Sequence, residues 1–166
     1  MEINPIAAEI AATVAEVRVA NIEETSDWYS GRKYDYTLFG DVLEHLRDPE
    51  HVLRCCRQCL QDGGHVITSI PNLMHYSVIR NLLNGDFTYT DTGLLNRTHI
   101  HFFTFNEIKR MFSRAGFVLD EVNKSSIQQE FEDSQYIEKL MSISERAERH
   151  MFQTIEYIVV ASISEN

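Results

Sequence analysis

The chain has 166 residues, of which 43% are hydrophobic and 24% charged, a balance typical of one water-soluble globular domain. Its formal net charge of −10 argues against sequence-independent binding to DNA or RNA, which requires a basic surface. No apolar run approaches the roughly 18 residues of a membrane span, and the start MEINPIAAEI lacks a basic segment followed by an apolar stretch, so we expect no membrane association and no secretory signal.

The first part of the chain alternates helix and strand patterns. Asn4 and Pro5 are a typical helix start, because Asn caps the first turn and Pro suits the first helical position. Asp62-Gly63-Gly64 is predicted to stop the second helix. The predicted elements are a helix at 5–16, a strand at 17–20, a polar loop at 21–33, a strand at 34–40 and a helix at about 48–60.

The second part continues the alternation. The predicted elements are a strand at 65–70, helices at 75–83 and 105–115, a strand at 117–122, a helix at 134–150 and a strand at 153–163. The long segment 86–104 is aromatic and polar, which is typical of a functional loop. Together these patterns predict a single α/β domain over 1–166. We expect a mostly parallel sheet with helices on both faces and an antiparallel edge formed by the last two strands.

The predicted strand 34–40, YDYTLFG, continues directly into the polar turn DVLEHL. In open α/β sheets, ligands bind at the carboxyl ends of the strands. A strand that ends in Asp41, Glu44 and His45 therefore indicates a pocket at this edge of the sheet.

Three cysteines, Cys55, Cys56 and Cys59, lie within two turns of the predicted second helix. An odd cluster of this kind is not a disulfide framework and favours a reducing, cytoplasmic location. His51, Cys55 and Cys59 share a helical stripe, but no matching CxxC or HxxxH pair lies elsewhere, and cysteine is often buried in a core. We therefore predict no metal site.

Three motifs carry a resemblance to a known family: DVLEHL at 41–46, SIPN at 69–72 and THIHFFT at 98–104. With the tract that surrounds the third, the chain from residue 2 to about residue 122 resembles the class I S-adenosylmethionine-dependent methyltransferases. The resemblance implies a Rossmann-like fold with S-adenosylmethionine as cofactor. It also implies methyl transfer to an oxygen, or less favourably a nitrogen, of a small-molecule or sugar-linked acceptor.

One part of the family pattern is missing. The family begins with a strand and a glycine-rich turn that approaches the cofactor, whereas this chain has seven glycines and none before Gly31. Residues 1–3 align instead with the end of the family's second strand. We therefore expect an N-terminally truncated domain whose strand 34–40 has an unpaired edge, which could pair with a second copy. The alternatives are a non-catalytic module acting as a dimer or subunit, and a natural protein that extends upstream of Met1.

The resemblance assigns five cofactor-binding residues. Glu2 would accept hydrogen bonds from the ribose hydroxyls, Asn21 and Ile22 would border the adenine, and Gly40 and Asp41 would lie near the methionine portion. The structural alternatives are a solvated terminal side chain for Glu2, a turn start for Asn21 and a helix N-cap for Asp41.

The resemblance also proposes two catalytic histidines. His45 could act as a general base, because its pKa can lie near the working pH. Glu44 is its neighbour in sequence, so on a helix the two side chains could not face the same way. Bonding to nearby backbone is the structural alternative for both. His99 could line the substrate pocket or hydrogen-bond its own loop.

The loop 86–104 supplies the predicted substrate contacts, which are Tyr89, Asp91 and His101, with Thr90 as a further pocket candidate. His101 stands where the family usually has Arg, and Asn96 where it more often has Asp. An Asn96–His101 pair in place of an ion pair would be less able to hold an anionic substrate.

Overall fold

Strands and helices alternate along the chain in the computed structural model, which describes residues 1–25, 31–126 and 131–164. The strands are β1 Tyr34–Gly40, β2 Leu60–Pro71, β3 Phe117–Ser125 and β4 Glu156–Ile163. The helices are α1 Pro5–Ala11, α2 Pro49–Cys56, α3 Tyr76–Leu83, α4 Phe105–Arg114, α5 Phe131–Ile143 and α6 Arg149–Gln153, with short 3-10 turns at Leu43–His45 and Arg57–Cys59. None of the helices in these ranges is long and apolar enough to cross a membrane.

The strands form one open sheet in the order β1-β2-β4-β3. β1 and β2 are parallel, whereas β4 runs antiparallel to both β2 and β3. The α/β class and the antiparallel edge are therefore confirmed. The sheet is mixed rather than mostly parallel, because β4 inserts between β2 and β3 in the opposite direction and supplies two of the three pairings.

The main core lies between one face of the sheet and the helices α2 and α4. In α4 the buried residues Ile108, Met111 and Phe112 follow the three- and four-residue spacing of a helix face. In β2 and β4 alternate residues point into the same core, as expected for a strand with one covered face. The fully buried members of this core include Val52, Leu53, Val66, Ile70, Ile108, Phe112, Tyr157 and Val159.

The other face of the sheet is open at β1. Tyr36 and Leu38 are 59% and 70% exposed, while Phe39, on the core side, is 3% exposed. β1 is also the first strand of the sheet, so its outer edge pairs with no other named strand of the described residues. The expected unpaired edge is present. Helices were expected to cover both faces of the sheet, but at β1 only one face is covered.

Several local predictions differ from the structure. The predicted helix 5–16 ends at Ala11. Gly63 and Gly64 lie inside β2 instead of ending a helix: Gly63 adopts a φ of +75°, and a Cβ on Gly64 would come within 3.0 Å of the Tyr34 carbonyl oxygen. The predicted strand 17–20 is reduced to one parallel bridge between Glu2 and Val19. The predicted helix 134–150 breaks after Ile143, where the Ser144 hydroxyl accepts a hydrogen bond from the Ala147 N–H and competes with helical bonding.

Candidate functional site

The site begins where β1 ends and the chain turns at Asp41. Asp41 has a φ of +48°, a left-handed conformation that Asp tolerates better than most residues. Its backbone N–H donates to the Ser69 hydroxyl at 2.9 Å, and that hydroxyl donates to Asp41 Oδ1 at 3.0 Å. Val42 stands at the N-cap position of the following 3-10 turn, so the N-cap alternative for Asp41 does not hold.

An open cleft of about 1090 Å³ lies beside this turn. Four of the five predicted cofactor-binding residues line it, namely Glu2, Asn21, Ile22 and Asp41. The fifth, Gly40, ends β1 but does not line the cleft. A Cβ at Gly40 would meet no protein atom within 4 Å, so packing within this chain does not require glycine there.

Two residues of the open cleft also have local structural roles. Glu2 Oε1 accepts a hydrogen bond from the Asn4 N–H at 2.7 Å, so Glu2 is held rather than freely solvated. Asn21 Oδ1 accepts from the Glu23 N–H at 3.1 Å and starts a turn, as the structural alternative predicted. This bond uses the amide oxygen of Asn21 and does not involve its amide nitrogen.

A second cavity, of about 500 Å³, adjoins the first. We call it the acidic pocket, because it contains three carboxyl groups and, among the described residues, no Lys or Arg. Its lining is Asp41, Glu44, His45, Pro71, His75, Ser77, Gly93, Leu94, Asn96, His99, Ile155 and Glu156. Asp41 and His45 line both the acidic pocket and the open cleft. The two cavities therefore meet at these two side chains.

Glu44 lines the acidic pocket and is 1% exposed. Neither carboxyl oxygen has a hydrogen-bond partner in the described structure. Oε1 lies 3.9 Å from His45 Nε2 and 4.0 Å from His99 Nε2. Glu44 and His45 both line this pocket, and they lie in a 3-10 turn rather than in an α-helix.

Both histidines are oriented by backbone carbonyls. His45 Nδ1 lies 3.0 Å from the Thr98 carbonyl oxygen, and His99 Nδ1 lies 3.2 Å from that of Leu94. A carbonyl oxygen only accepts hydrogen bonds, so each Nδ1 carries the proton and each neutral ring presents the Nε2 lone pair towards Glu44. Two imidazole nitrogens and one carboxylate thus converge as hydrogen-bond acceptors.

Burial changes the protonation of this pocket. Burial, with a contribution from nearby Asp41, raises the pKa of Glu44 to about 7. Burial and the hydrogen-bonded carboxyl of Asp41 raise the pKa of Glu156 to about 7. Burial and the neighbouring His45 lower the pKa of His99. The pocket therefore titrates near neutral pH.

The same convergence could hold a metal ion. Among the described residues, Glu44, His45 and His99 offer ligand atoms within 4.8 Å of one another, a donor set that suits a divalent cation. This is not the helical stripe considered in the sequence. In that stripe, Cys55 Sγ lies 3.5 Å from His51 Nε2, whereas Cys59 is buried.

The structure does not bring the three predicted substrate residues into either cavity. Tyr89 packs edge-on against Phe87. Asp91 forms an exposed ion pair with Arg97 at 2.7 Å. His101 instead directs Nε2 to the Arg47 carbonyl oxygen at 3.3 Å. Asp91 and His101 thus already have polar partners, and Tyr89 is held by a ring contact inside the segment.

The predicted Asn96–His101 pair is absent, because each of these side chains has another hydrogen-bond partner. Asn96 Oδ1 accepts hydrogen bonds from both the N–H and the hydroxyl of Thr98, at 3.0 and 2.8 Å. Asn96 therefore stabilises its own turn, although it still lines the acidic pocket.

Three residues of the site were not predicted. Ser69 stands at the end of β2 in the SIPN motif, where its position at a strand end could have indicated it. Glu156 is the first residue of β4, where a carboxyl directly precedes an apolar strand and could have indicated a site at this sheet edge. His75 is 7% exposed and caps α3, with Nδ1 2.8 Å from the Ser77 hydroxyl. Nothing in the local sequence distinguishes His75 from a surface residue.

Comparison with known proteins gives one family and one fold. The profile of a family described as "Methyltransferase domain" matches residues 1–122. A ubiquinone biosynthesis O-methyltransferase of Serratia proteamaculans (strain 568) is 35% identical over 68 residues, which are 39% of this chain and 28% of that protein. The matched stretch thus spans little more than a quarter of the length of this curated relative.

Solved structures show the fold over nearly the whole chain. A SAM-dependent methyltransferase from Archaeoglobus fulgidus has a TM-score of 0.63 at 16% identity, covering 96% of this chain and 73% of that one. A SAM-dependent methyltransferase from Methanosarcina mazei has a TM-score of 0.64 at 12% identity, covering 99% and 81%. At these identities the similarity establishes the Rossmann-like fold and not the substrate.

Proposed function

The chain belongs to the methyltransferase-domain family, and on that premise we propose that it transfers a methyl group from S-adenosylmethionine to an oxygen, or a nitrogen, of a small-molecule or sugar-linked acceptor. One observation carries the proposal: the open cleft and the acidic pocket meet at Asp41 and His45. A methyl transfer needs donor and acceptor in adjoining sites with the reacting atoms aligned between them.

The open cleft has side chains that suit the cofactor. Glu2 supplies a carboxylate for two adjacent hydroxyls, Asn21 an amide for the adenine edge, and Ile22 an apolar surface for the ring. Asp41 would lie towards the methionine portion. When bound, S-adenosylmethionine supplies a methyl group activated by a positively charged sulfur.

His45 is the residue of this chain best placed to move a proton. Its Nδ1 is held by the Thr98 carbonyl, so Nε2 keeps a lone pair that can accept the proton of an attacking group. The ring of His99 packs edge-on against His45 with centroids 4.9 Å apart, which limits rotation of the base. Alignment by the pocket contributes as well, because methyl transfer depends strongly on the approach of the nucleophile.

Titration calorimetry with S-adenosylmethionine and S-adenosylhomocysteine tests cofactor binding. We expect saturable binding near one site per chain and a loss of affinity in Asp41→Ala. The absence of binding to this chain would overturn the proposal for it. Glu145→Gln, an exposed charge change outside both cavities, is the control.

Turnover of an acceptor found by screening tests the role of His45. His45→Gln should lower kcat by about 100-fold, within the range for general-base catalysis, while cofactor affinity stays within about twofold. Unchanged turnover in His45→Gln would remove this residue from the mechanism.

A second candidate function follows from the exposed edge of β1. A non-catalytic module could pair this edge with the same edge of a second copy, covering Tyr36 and Leu38. Sedimentation equilibrium would then give a dimer that Leu38→Lys dissociates, whereas Ile143→Lys, at a residue 74% exposed on α5, leaves it intact. A monomer that binds the cofactor at micromolar concentration would contradict this candidate.

A further inference from the structure

We propose that the acidic pocket selects a methyl acceptor that carries a protonated amine, with Glu44 and Glu156 as the carboxylates that receive it. The inference rests on the proposed function, because the pocket is the acceptor side of that site. It adds a substrate class, since it favours cationic acceptors over neutral and anionic ones.

The first argument is the chemical inventory of the pocket. Asp41, Glu44 and Glu156 contribute carboxyl oxygens, and His45 and His99 contribute Nε2 lone pairs. These are hydrogen-bond acceptors, and among the described residues no Lys or Arg lies in the lining to balance them. A ligand that satisfies them must bring donors, and an alkylammonium group brings three N–H donors with a positive charge.

The second argument is the unsatisfied carboxyl of Glu44. Its side chain is 1% exposed, lines the pocket and has no hydrogen-bond partner for either oxygen. A buried carboxyl group without a hydrogen-bond partner is costly, and an ammonium group would supply both a donor and the opposite charge. A neutral acceptor would supply a donor but not the charge.

The third argument excludes the opposite class of ligand. An anionic acceptor would need Arg or Lys for its carboxylate or phosphate. Arg47 lines the adjoining open cleft instead, and Arg97, in the loop 86–104, is paired with Asp91. An anion in the acidic pocket would face three carboxyls and would be repelled.

A metal ion would also satisfy converging acceptors, but two features favour the amine. The pocket has a volume of about 500 Å³, far more than one ion fills. Asp41 and Glu156 lie outside the group of ligand atoms formed by Glu44, His45 and His99. An organic cation can contact both sets of carboxyls, whereas one ion among the three ligands cannot.

Three probes of similar size test the selection: benzylamine, benzyl alcohol and benzoate. Each is titrated at pH 8 with EDTA into the ¹⁵N-labelled full chain, and amide shifts are followed by NMR. We expect benzylamine to bind at least about tenfold more tightly than benzyl alcohol, which corresponds to one charged interaction of about 1.4 kcal/mol. Benzoate should not saturate. Equal affinities, or a preference for benzoate, would overturn the proposal.

Two variants locate the amine. Glu44→Gln and Glu156→Gln should each weaken benzylamine binding about tenfold and leave benzyl alcohol unchanged. Glu145→Gln makes the same change of net charge outside the pocket and should have no effect. If Glu44→Gln fails to fold, Glu156→Gln alone decides. Unchanged benzylamine binding in the folded variants would overturn the proposal.

Metal and cofactor titrations separate the remaining explanations. Zinc or magnesium chloride, added in place of EDTA, should leave benzylamine affinity unchanged. Competition that abolishes benzylamine binding would identify a metal site and overturn the proposal. Cofactor binding is measured on the same samples. Amine selection without cofactor binding would refute the proposed function alone, and cofactor binding without amine selection would refute only this inference.

Discussion

Asp41 and Ser69 are joined by two hydrogen bonds across the carboxyl ends of the parallel strands β1 and β2. The Asp41 N–H donates to the Ser69 hydroxyl, which in turn donates to Asp41 Oδ1. This pairing holds Asp41 at a φ of +48°, at the point where the open cleft meets the acidic pocket. The position of one carboxylate thus depends on a neighbouring strand as well as on its own turn.

Substitutions of Asp41 should separate the two contributions. Asp41→Ala loses the hydrogen bond from the Ser69 hydroxyl, and Ala adopts the left-handed conformation less readily than Asp. We therefore expect a loss of roughly 2 kcal/mol in the free energy of unfolding. Asp41→Asn keeps an acceptor and tolerates this conformation, so it should lose less than about 1 kcal/mol. Asp41→Gly removes the same hydrogen bond but adopts a positive φ without strain, so its loss of unfolding free energy should lie between those of the other two variants. Equal values in urea unfolding would contradict this account.

The buried Glu44 predicts a pH dependence of stability. Its pKa is about 7 in the folded chain, against an ordinary value of 4.5. The folded state therefore binds the proton more tightly, and the stabilisation is fully present below pH 4.5 and is lost as the pH rises through 7. Glu44→Gln should remove this dependence, so the variant gains stability relative to the parent between pH 5 and pH 8. The gain is at most roughly 3 kcal/mol.

Chemical denaturation of both proteins at several pH values measures this difference. Asp41, His45, His99 and Glu156 line the same pocket and are present in both proteins, so the comparison cancels most of their contribution. A difference between parent and variant that stays constant from pH 5 to pH 8 would show that Glu44 is ionised at its ordinary pKa.

The orientation of the two pocket histidines can be observed directly. His45 and His99 direct Nδ1 at the carbonyls of Thr98 and Leu94, so both should be the Nδ1–H tautomer when neutral. Long-range ¹H–¹⁵N NMR distinguishes the two tautomers by the nitrogen shifts. Burial is the larger cause of the lowered pKa of His99, and the neighbouring His45 is the smaller one. His45→Gln should therefore raise the pKa of His99 only part of the way to its ordinary value. Nε2–H rings would contradict the acceptor role given to these two nitrogens.

The one-sided burial of β1 predicts opposite effects for adjacent residues. Leu38 is 70% exposed, so Leu38→Ala should change the free energy of unfolding by less than about 0.5 kcal/mol. Phe39 is 3% exposed in the core, so Phe39→Ala should cost about 3 to 5 kcal/mol. A large loss in Leu38→Ala at low and high protein concentration alike would show that this side chain is buried within the chain itself. A loss seen only at high concentration would point to a second copy.

Sequence patterns predicted the strands and helices well where the hydrophobic periodicity agreed with the turn and capping residues. β1 has the predicted bounds of 34–40, since its length and flanking turn leave little choice. The local sequence pattern does not show which distant strands will pair. It therefore predicted neither the antiparallel direction of β4 relative to β2 nor the position of the glycines inside β2.

The site was predictable to the extent that it lies on a strand end. Asp41 and His45 follow β1 directly, and the residue types themselves indicated a pocket. Glu156 reaches the same pocket from β4, through a strand pairing that places it opposite Pro71. Tyr89 and Asp91 lie outside both cavities, where they contact Phe87 and Arg97 of the same loop, and their role as substrate contacts stays a prediction.

Glu23 provides a final test, because it shapes the open cleft through backbone contacts. Glu23 Oε1 accepts hydrogen bonds from the N–H groups of Arg47 and Asp48 at 2.8 and 2.9 Å. Asp48 in turn caps α2 through the N–H of His51 at 2.8 Å. One carboxylate therefore joins the turn that carries Asn21 to the start of α2.

Removing this carboxylate should loosen the cleft as well as lower stability. Glu23→Ala leaves two backbone N–H groups without their charged acceptor, so we expect a loss of about 1.5 to 3 kcal/mol in the free energy of unfolding. Glu23→Gln keeps a neutral acceptor and should lose about half as much, since charge-assisted bonds are roughly twice as strong. S-adenosylmethionine affinity should fall in the same order, because the loop that borders the cleft loses its attachment. Stability that falls while cofactor affinity stays constant would show that the attachment of this turn does not shape the cofactor site.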